Sequence, residues 1–226
     1  MRHFEEELDE LRKRLLEMSG LVESGIYRSV HALVNKDENL ANEVMKNEPR
    51  INQMEIEIDD MAVRLLALEQ PVAGDLRFIT AAIKINNDLE RMGDLAASIA
   101  ERALNLIQEP CISPLVDIPF MASLVESMVR KALDAFVKKD SGLARSVLTS
   151  DDAVDDMRTG SYKELIRYMQ QYPPCIPQGL NLLFVARNLE RIADHATNIA
   201  EDVLFLVEGV DVRHHAESGT SLHPPI

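Results

Sequence analysis

Residues 89–104 read LERMGDLAASIAERAL, and residues 189–204 read LERIADHATNIAEDVL, one hundred positions further along the chain. Nine of the sixteen positions are identical. A phrase repeated at a long fixed interval indicates an internal duplication. The chain is therefore predicted to contain two equivalent halves.

Both copies of the phrase contain an unusual acidic pair, Glu90 with Asp94 and Glu190 with Asp194. Residues four apart lie on the same side of a helix. Two like charges at this spacing destabilise an isolated helix by about 0.2–0.5 kcal/mol. Because both halves contain the same unfavourable pair, we expect a positively charged group to bind there.

The composition favours helices with an aliphatic core. Hydrophobic residues make up 46% of the chain, aromatic residues only 4%, and Trp is absent, whereas strands draw more on aromatic and β-branched side chains. The formal net charge of −14 would repel a nucleic-acid backbone. Metal cations or a basic patch on another protein are the expected partners of such a surface.

Helical periodicity fills the stretches between the few Gly and Pro interruptions. It predicts six long helices, at about residues 4–36, 37–70, 71–108, 120–139, 140–171 and 177–208. Asp37 and Asp140 are predicted N-caps, and aligning them extends the duplication to the middle helix of each half. Three long helices with short turns make an up-down-up bundle.

The predicted fold is thus all-α, with two tandem three-helix bundles. They are placed at residues 1–110 and 117–209, joined by a proline-rich linker around residues 109–119 and followed by a disordered tail at residues 210–226. The charged N-terminus does not resemble a signal peptide, and no apolar run is long enough to cross a membrane. We expect a cytoplasmic protein without membrane insertion.

A helical wheel places the repeated carboxylates opposite the apolar stripe, on an exposed face. Carboxylate and amide oxygens without thiols suit hard cations, or iron and manganese in an oxygen-rich site. The candidate metal ligands are Glu90, Asp94, Glu190 and Asp194. Further candidates on the same arc or on the neighbouring acidic helix are Glu101, Glu201, Asn198, His195 and Asp155. Ser98 occupies the position of Asn198 in the first copy.

Two observations bear on the alternatives. An ordinary solvated helix face, with Arg91 and Arg102 offsetting some of the negative charge, also explains a Glu-x-x-x-Asp pattern. If the second and third helices pack as neighbours, Glu55 and Asp59 could supply further ligands from across the groove. Patterns typical of enzymes are missing from the sequence: there is no Walker A, HExxH or GxSxG motif, and no Glu-x-x-His of di-iron bundles. No catalytic residue is predicted, and we expect a protein that is not an enzyme.

Three segments resemble the PhoU family of bacterial accessory proteins of phosphate-specific transport. They are ALEQPVAGDLRFI at 67–79, NNDLERMGDLAASIAE at 86–101 and ARNLERIADHATNIAEDVLFL at 186–206. The resemblance covers residues 1 to about 209. It implies a homodimer of two-bundle chains without established catalytic activity.

The resemblance also implies a role in phosphate homeostasis. PhoU proteins are negative regulators of phosphate uptake and of the phosphate-starvation response. They act as signal-transduction adaptors between the ATPase of the phosphate ABC transporter and a sensor histidine kinase. Members carry iron clusters or other divalent cations at E/DxxxD motifs, which would correspond here to Glu90 with Asp94 and Glu190 with Asp194.

The first copy departs from the family pattern, since Leu95 and Ser98 stand where the second copy has His195 and Asn198. The first site is therefore expected to bind metal more weakly, or differently. Two alternatives remain open at this stage. One is a metal-dependent phosphohydrolase or metal-storage helical bundle, and the other is a purely structural helical oligomer.

Overall fold

The computed structural model describes residues 2–69, 71–108, 117–210 and 212. Within these ranges the chain forms seven α-helices and one short 3-10 helix, without any strand. The helices are α1 (Arg2–Asn35), α2 (Glu38–Glu69), α3 (Ala73–Ile107), α4 (Ile118–Lys138), α5 (Ser141–Leu148), α6 (Asp151–Gln171) and α7 (Ile176–Glu208); the 3-10 helix is Pro173–Cys175. The predicted all-α class is confirmed.

Carboxylate caps begin the middle helix of each half, as predicted. The backbone N–H of Leu40 donates to Asp37 Oδ1 at 3.2 Å. In the second half, the N–H of Leu143 donates to Asp140 Oδ1 at 3.0 Å. Such a cap satisfies a backbone donor that has no partner within the helix. The two caps thus fix equivalent starting points for α2 and α5.

The second half differs from the prediction of one helix over residues 140–171. Thr149 and Ser150 separate α5 from α6, and both hydroxyls donate to the carbonyl oxygen of Ser146, at 3.1 and 2.8 Å. Side-chain bonds of this kind compete with the helical hydrogen-bond ladder. A new helix then begins with Asp151 in its first turn, where the helix dipole favours a negative charge.

The helices form two bundles around one continuous core. Helices α1, α2 and α3 pack together, while α4, α5 and α6 pack against α7. The most extensive pairing joins the bundles through α3 and α7, and α1 also touches α4. Leu89 and Leu189 of the repeated phrase are both fully buried in this core.

Helices α3 and α7 are antiparallel and related by an approximate twofold axis. Asn198 Nδ2 donates to Asp88 Oδ1 at 3.2 Å, and Asn188 Nδ2 donates to Ser98 Oγ at 3.0 Å. Adding one hundred to position 88 and subtracting one hundred from position 198 gives positions 188 and 98, which form the second pair. The duplication seen in the sequence is therefore also the symmetry of the central helix pair.

The outer helices follow from this arrangement, with α2 flanking α3 and α6 flanking α7. Each half consequently has a groove between a middle helix and a helix with the repeated phrase. None of the described helices is both long enough and apolar enough to span a bilayer. The predicted tail, apart from Val210 and Val212, lies outside the described residues, as does most of the predicted linker.

Candidate metal-binding site

Helices α2 and α3 bring five carboxylates together in the groove of the first half. We call them the first acidic cluster: Glu48, Glu55, Asp59, Glu90 and Asp94. Burial raises the pKa of Glu90, and the negative charges of Asp94 and Glu55 raise it further, while Arg91 opposes the shift. The pKa of Glu55 is raised by burial and then by Asp59. The carboxylates are therefore close enough to repel one another.

Helices α6 and α7 form the equivalent second acidic cluster: Asp151, Asp155, Glu190 and Asp194. Burial, followed by the charges of Asp194 and Asp155, raises the pKa of Asp151 from 3.8 to about 6. The pKa of Asp194 is raised by burial and then by Asp155. The structure thus places Asp155 beside the repeated pair, where the sequence predicted a further ligand.

A buried asparagine lies beneath the first cluster. Asn86 is fully buried, and its Nδ2 donates to the carbonyl oxygen of Glu55 and to Asp59 Oδ1, both at 2.9 Å. Its Oδ1 is buried and has no hydrogen-bond partner. An acceptor left unsatisfied in the interior costs about 1–3 kcal/mol. Asn86 therefore ties α3 to α2 beneath the carboxylates, a contact that sequence reasoning did not identify.

The repeated glutamates are less exposed than the helical wheel suggested. The side chains of Glu90 and Glu190 are each only 17% exposed, because α2 and α6 cover the side of the helix on which they lie. The wheel correctly separated them from the core stripe. It contained no information about the neighbouring helix that closes the groove.

Glu101 and Glu201 do not join the clusters. Each follows the first glutamate of its phrase by eleven residues, about 16 Å along a helix axis. A helical wheel shows only the angle around the helix axis and not the distance along it. The two glutamates of a phrase therefore appear at almost the same place on the wheel. Glu101 and Glu201 therefore lie too far along their helices to bind the same ion as Glu90 and Glu190, and their role as ligands stays a prediction.

His195 and Asn198 face the α3–α7 interface, and their expected place among the carboxylates is corrected accordingly. His195 Nδ1 lies 2.7 Å from Asp88 Oδ1, which also accepts from Asn198. Asp88 is only 9% exposed. In the first copy, Ser98 has the equivalent position and accepts from Asn188. In the sequence, the signal for this interface is the polar residue immediately before each copy of the phrase, Asp88 and Asn188.

The first cluster contains the type of donor that hard cations prefer, but not a formed coordination shell. Among the residues that the structure describes, no three His, Cys, Asp or Glu side chains converge into a ready-made coordination shell. The cluster does contain carboxylates that raise the pKa of Glu90, so a positive charge beside them would be stabilised. Oxygen-rich sets of this kind suit Mg²⁺, Ca²⁺, Mn²⁺ and iron.

Comparison with known proteins decides the family. The model of the PhoU domain matches the chain twice, at residues 15–103 and 118–203. The chain belongs to the PhoU family. The two matches correspond to the two bundles, so the internal duplication is a duplication of the PhoU domain.

Relatives and solved structures agree with the PhoU assignment. The phosphate-specific transport system accessory protein PhoU homolog of Pseudomonas aeruginosa is 46% identical over 213 residues, covering 93% of this chain and 88% of that protein. The homolog of Aquifex aeolicus is 42% identical over 208 residues, covering 92% and 94%. The relatives are named accessory proteins rather than enzymes.

The crystal structure of PhoU from Pseudomonas aeruginosa superimposes with a TM-score of 0.89 at 43% identity, covering 92% of this chain and all of that one. The phosphate transport system regulatory protein PhoU of Streptococcus pneumoniae gives 0.81 at 31% identity, covering 92% and 99%. The PhoU fold therefore extends over both bundles of this chain.

The raised pKa of Asp151 predicts a pH-dependent stability. The folded-state pKa of about 6 exceeds the ordinary 3.8, so the folded chain binds more protons than the unfolded chain between these values. The stability contributed by this group is present at low pH and is lost as the pH rises from 3.8 to about 6. Asp151→Asn should weaken this pH dependence and raise the Tm at pH 7.

Thermal unfolding followed by circular dichroism between pH 4 and pH 8 measures the effect. Asp156→Asn is the matched control, because Asp156 lies exposed on the same helix. An identical pH profile for Asp151→Asn and wild type would show that Asp151 does not resist ionisation in the folded chain.

Proposed function

We propose that the chain is a regulatory accessory protein of the phosphate-specific transport system that restrains phosphate uptake. It acts in the cytoplasm as an adaptor between the ATPase of the phosphate transporter and a sensor histidine kinase. When phosphate is plentiful, it keeps the phosphate-starvation response off. The observation that carries the proposal is the match of 93% of the chain to a relative named as an accessory protein of this system.

The two acidic clusters provide contact surfaces suited to this role. They flank the central α3–α7 pair, one in each bundle, on a chain of net charge −14. Opposite charges across an interface steer association and fix the orientation of the partners. Basic patches on the transporter ATPase or the kinase would bind these clusters directly or through a bound cation. A homodimer would present four such clusters.

A divalent cation is the proposed occupant of each acidic cluster. Glu90 and Asp94 would hold it in the first half, with Glu48 and Glu55 from α2, and Glu190 and Asp194 would hold it in the second. The cation would supply positive charge that offsets the repulsion among the carboxylates. Binding would join α2 to α3 electrostatically, and removal of the cation would leave the groove more negative. This role is structural and regulatory rather than catalytic.

Deletion of the gene tests the regulatory proposal. In medium rich in phosphate, the deletion strain should express a phosphate-starvation reporter at the level that wild type reaches only under starvation. Return of the wild-type gene should restore repression. A strain that also lacks the sensor kinase should remain repressed, because the proposed signal passes through that kinase.

Two results would contradict the proposal. Normal repression in the single deletion would remove the regulatory role. Derepression that persists without the kinase would remove the adaptor role and leave only an effect on transport.

A further inference from the structure

Helices α1 and α4, the first helices of the two halves, repeat the same sequence pattern. Residues 21–24 and 124–127 both read LVES, 103 positions apart. Lys36 and Lys139, just after the two helices, share a left-handed backbone conformation, with φ of 54° and 52°. The duplication therefore includes the first helix of each half, at a constant offset of 103 positions.

An open cavity of about 330 Å³ lies between α1 and α4, where the two bundles meet. Both helices contribute to its lining, which consists of Gly20, Glu23, Ser24, Tyr27, Glu126 and Arg130. The offset pairs Glu23 with Glu126 and Tyr27 with Arg130. The two sides of the cavity are therefore equivalent positions of the two halves. The cavity is separate from the acidic clusters, which lie between α2 and α3 and between α6 and α7.

One side of the cavity already holds a guanidinium group. Arg130 Nε donates to Glu23 Oε1 at 2.9 Å, which joins α4 to α1. Such a charge-assisted hydrogen bond is stronger than one between neutral groups. The symmetric contact would join residue 27 to Glu126, but residue 27 is a tyrosine, whose phenol has no positive charge. Glu126 is thus the counterpart of an arginine-bound carboxylate, without the arginine.

The charges around Glu126 agree with this comparison. Among the residues that the structure describes, Arg130 forms its ion pair with Glu23, and no cation forms one with Glu126. Burial raises the pKa of Glu126, and the charge of Glu23 adds to the shift, while His31 and Arg130 oppose it. The ionised form of Glu126 therefore costs free energy in the folded chain. A second positive charge inside the cavity would lower that cost.

Tyr27 adds an aromatic surface to the same side of the cavity. Its side chain is 50% exposed. His31 stacks against its ring, with the two centroids 4.0 Å apart, but His31 does not line the cavity. The part of Tyr27 that lines the cavity is therefore not the part that His31 covers. Because arginine both stacks on aromatic rings and pairs with carboxylates, Tyr27 and Glu126 offer two contacts to one guanidinium group.

We propose that the cavity between α1 and α4 binds one arginine side chain of a partner protein. The guanidinium group pairs with Glu126 and stacks on Tyr27, which repeats the contact that Arg130 makes with Glu23. The proposal rests on the proposed adaptor role and adds a contact surface to it. An adaptor needs a separate surface for each of two partners, and arginines that enter interface pockets contribute strongly to binding.

Tyr27→Arg tests the cavity without any partner, because it supplies the arginine that the symmetry of the two halves predicts. We expect it to raise the Tm by about 1–3 °C more in the chain with Glu126 than in the Glu126→Gln chain. Thermal unfolding of wild type, both single variants and the double variant measures this coupling. Tyr162→Arg, at a similarly exposed tyrosine on α6, is the control without coupling to Glu126. Equal effects of Tyr27→Arg in both backgrounds would overturn the proposal.

Binding of the complete phosphate transporter and of the full-length sensor kinase, each in lipid nanodiscs, tests the partner. Biolayer interferometry with the chain immobilised measures both affinities. Glu126→Gln removes the carboxylate and Tyr27→Arg fills the cavity, so each should weaken binding of one partner at least about tenfold. Glu164→Gln and Tyr162→Arg make the same changes at exposed positions on α6 and should leave both affinities unchanged.

The outcomes separate this proposal from the adaptor role. Wild-type affinity of Glu126→Gln for both partners would overturn the proposal. Loss of self-association in Glu126→Gln, measured by sedimentation, with both partners still bound would assign the cavity to a second copy of the chain and would also overturn it. If wild type binds neither partner, the adaptor role fails. Coupling between Tyr27→Arg and Glu126 would then still establish the guanidinium site, and its absence would overturn both.

Discussion

Replacing Leu89 with alanine should lower the free energy of unfolding by about 2–5 kcal/mol. Leu89 is fully buried on α3, the helix that packs against α1, α2 and α7. The substitution removes apolar contacts and leaves a cavity that long packed helices cannot readily close. Chemical denaturation followed by circular dichroism measures the loss.

Two further variants give this prediction its controls. Leu189→Ala, the equivalent change in the second half, should cost a similar amount because Leu189 is also fully buried. Leu68→Ala removes the same atoms from a side chain that is 70% exposed, and should change stability by less than about 0.5 kcal/mol. Equal effects of Leu89→Ala and Leu68→Ala would refute the proposed packing of α3.

Neutralising the repeated carboxylates should stabilise the chain and abolish its regulatory activity. The changes are Glu90→Gln, Asp94→Asn, Glu190→Gln and Asp194→Asn. The pKa of each of these groups is raised, with burial as the first cause. Their ionised forms therefore destabilise the fold at neutral pH. Amides of the same shape remove that cost, so the Tm at pH 7 should rise.

A gain in stability together with a loss of activity is typical of a functional site. Thermal unfolding of the four-amide chain at pH 7 tests the first part. The matched control converts four exposed acidic residues of other surfaces to amides: Glu5, Asp9, Asp60 and Glu164. A lower Tm for the four-amide chain than for this control would show that the carboxylates stabilise the fold.

The fold was largely predictable because its signals are local. Asp37 and Asp140 cap helices with contacts to residues three positions away. The apolar stripe around Leu89 follows from helical periodicity alone. The break at Thr149 and Ser150 was missed because it depends on hydroxyl contacts with the preceding turn, in a stretch whose periodicity is otherwise helical.

The candidate site was only partly predictable, because it is formed between helices. Glu90 and Asp94 could be found in the repeated phrase, and Asp155 was suspected as a partner. Glu101 was grouped with Glu90 because an angle on a helical wheel does not give the distance along the helix axis. Asn86 was missed because its significance depends on its contacts across the groove to α2.

The most direct test of the central claim is repression by the four-amide chain in the deletion strain grown in rich phosphate. Immunoblotting ensures equal amounts of wild type, the four-amide chain and the control with amides at Glu5, Asp9, Asp60 and Glu164. We predict that the four-amide chain leaves the phosphate-starvation reporter fully on, while wild type and the control turn it off. Full repression by the four-amide chain would contradict the account, because the acidic clusters would then not be the contact surfaces of the regulator.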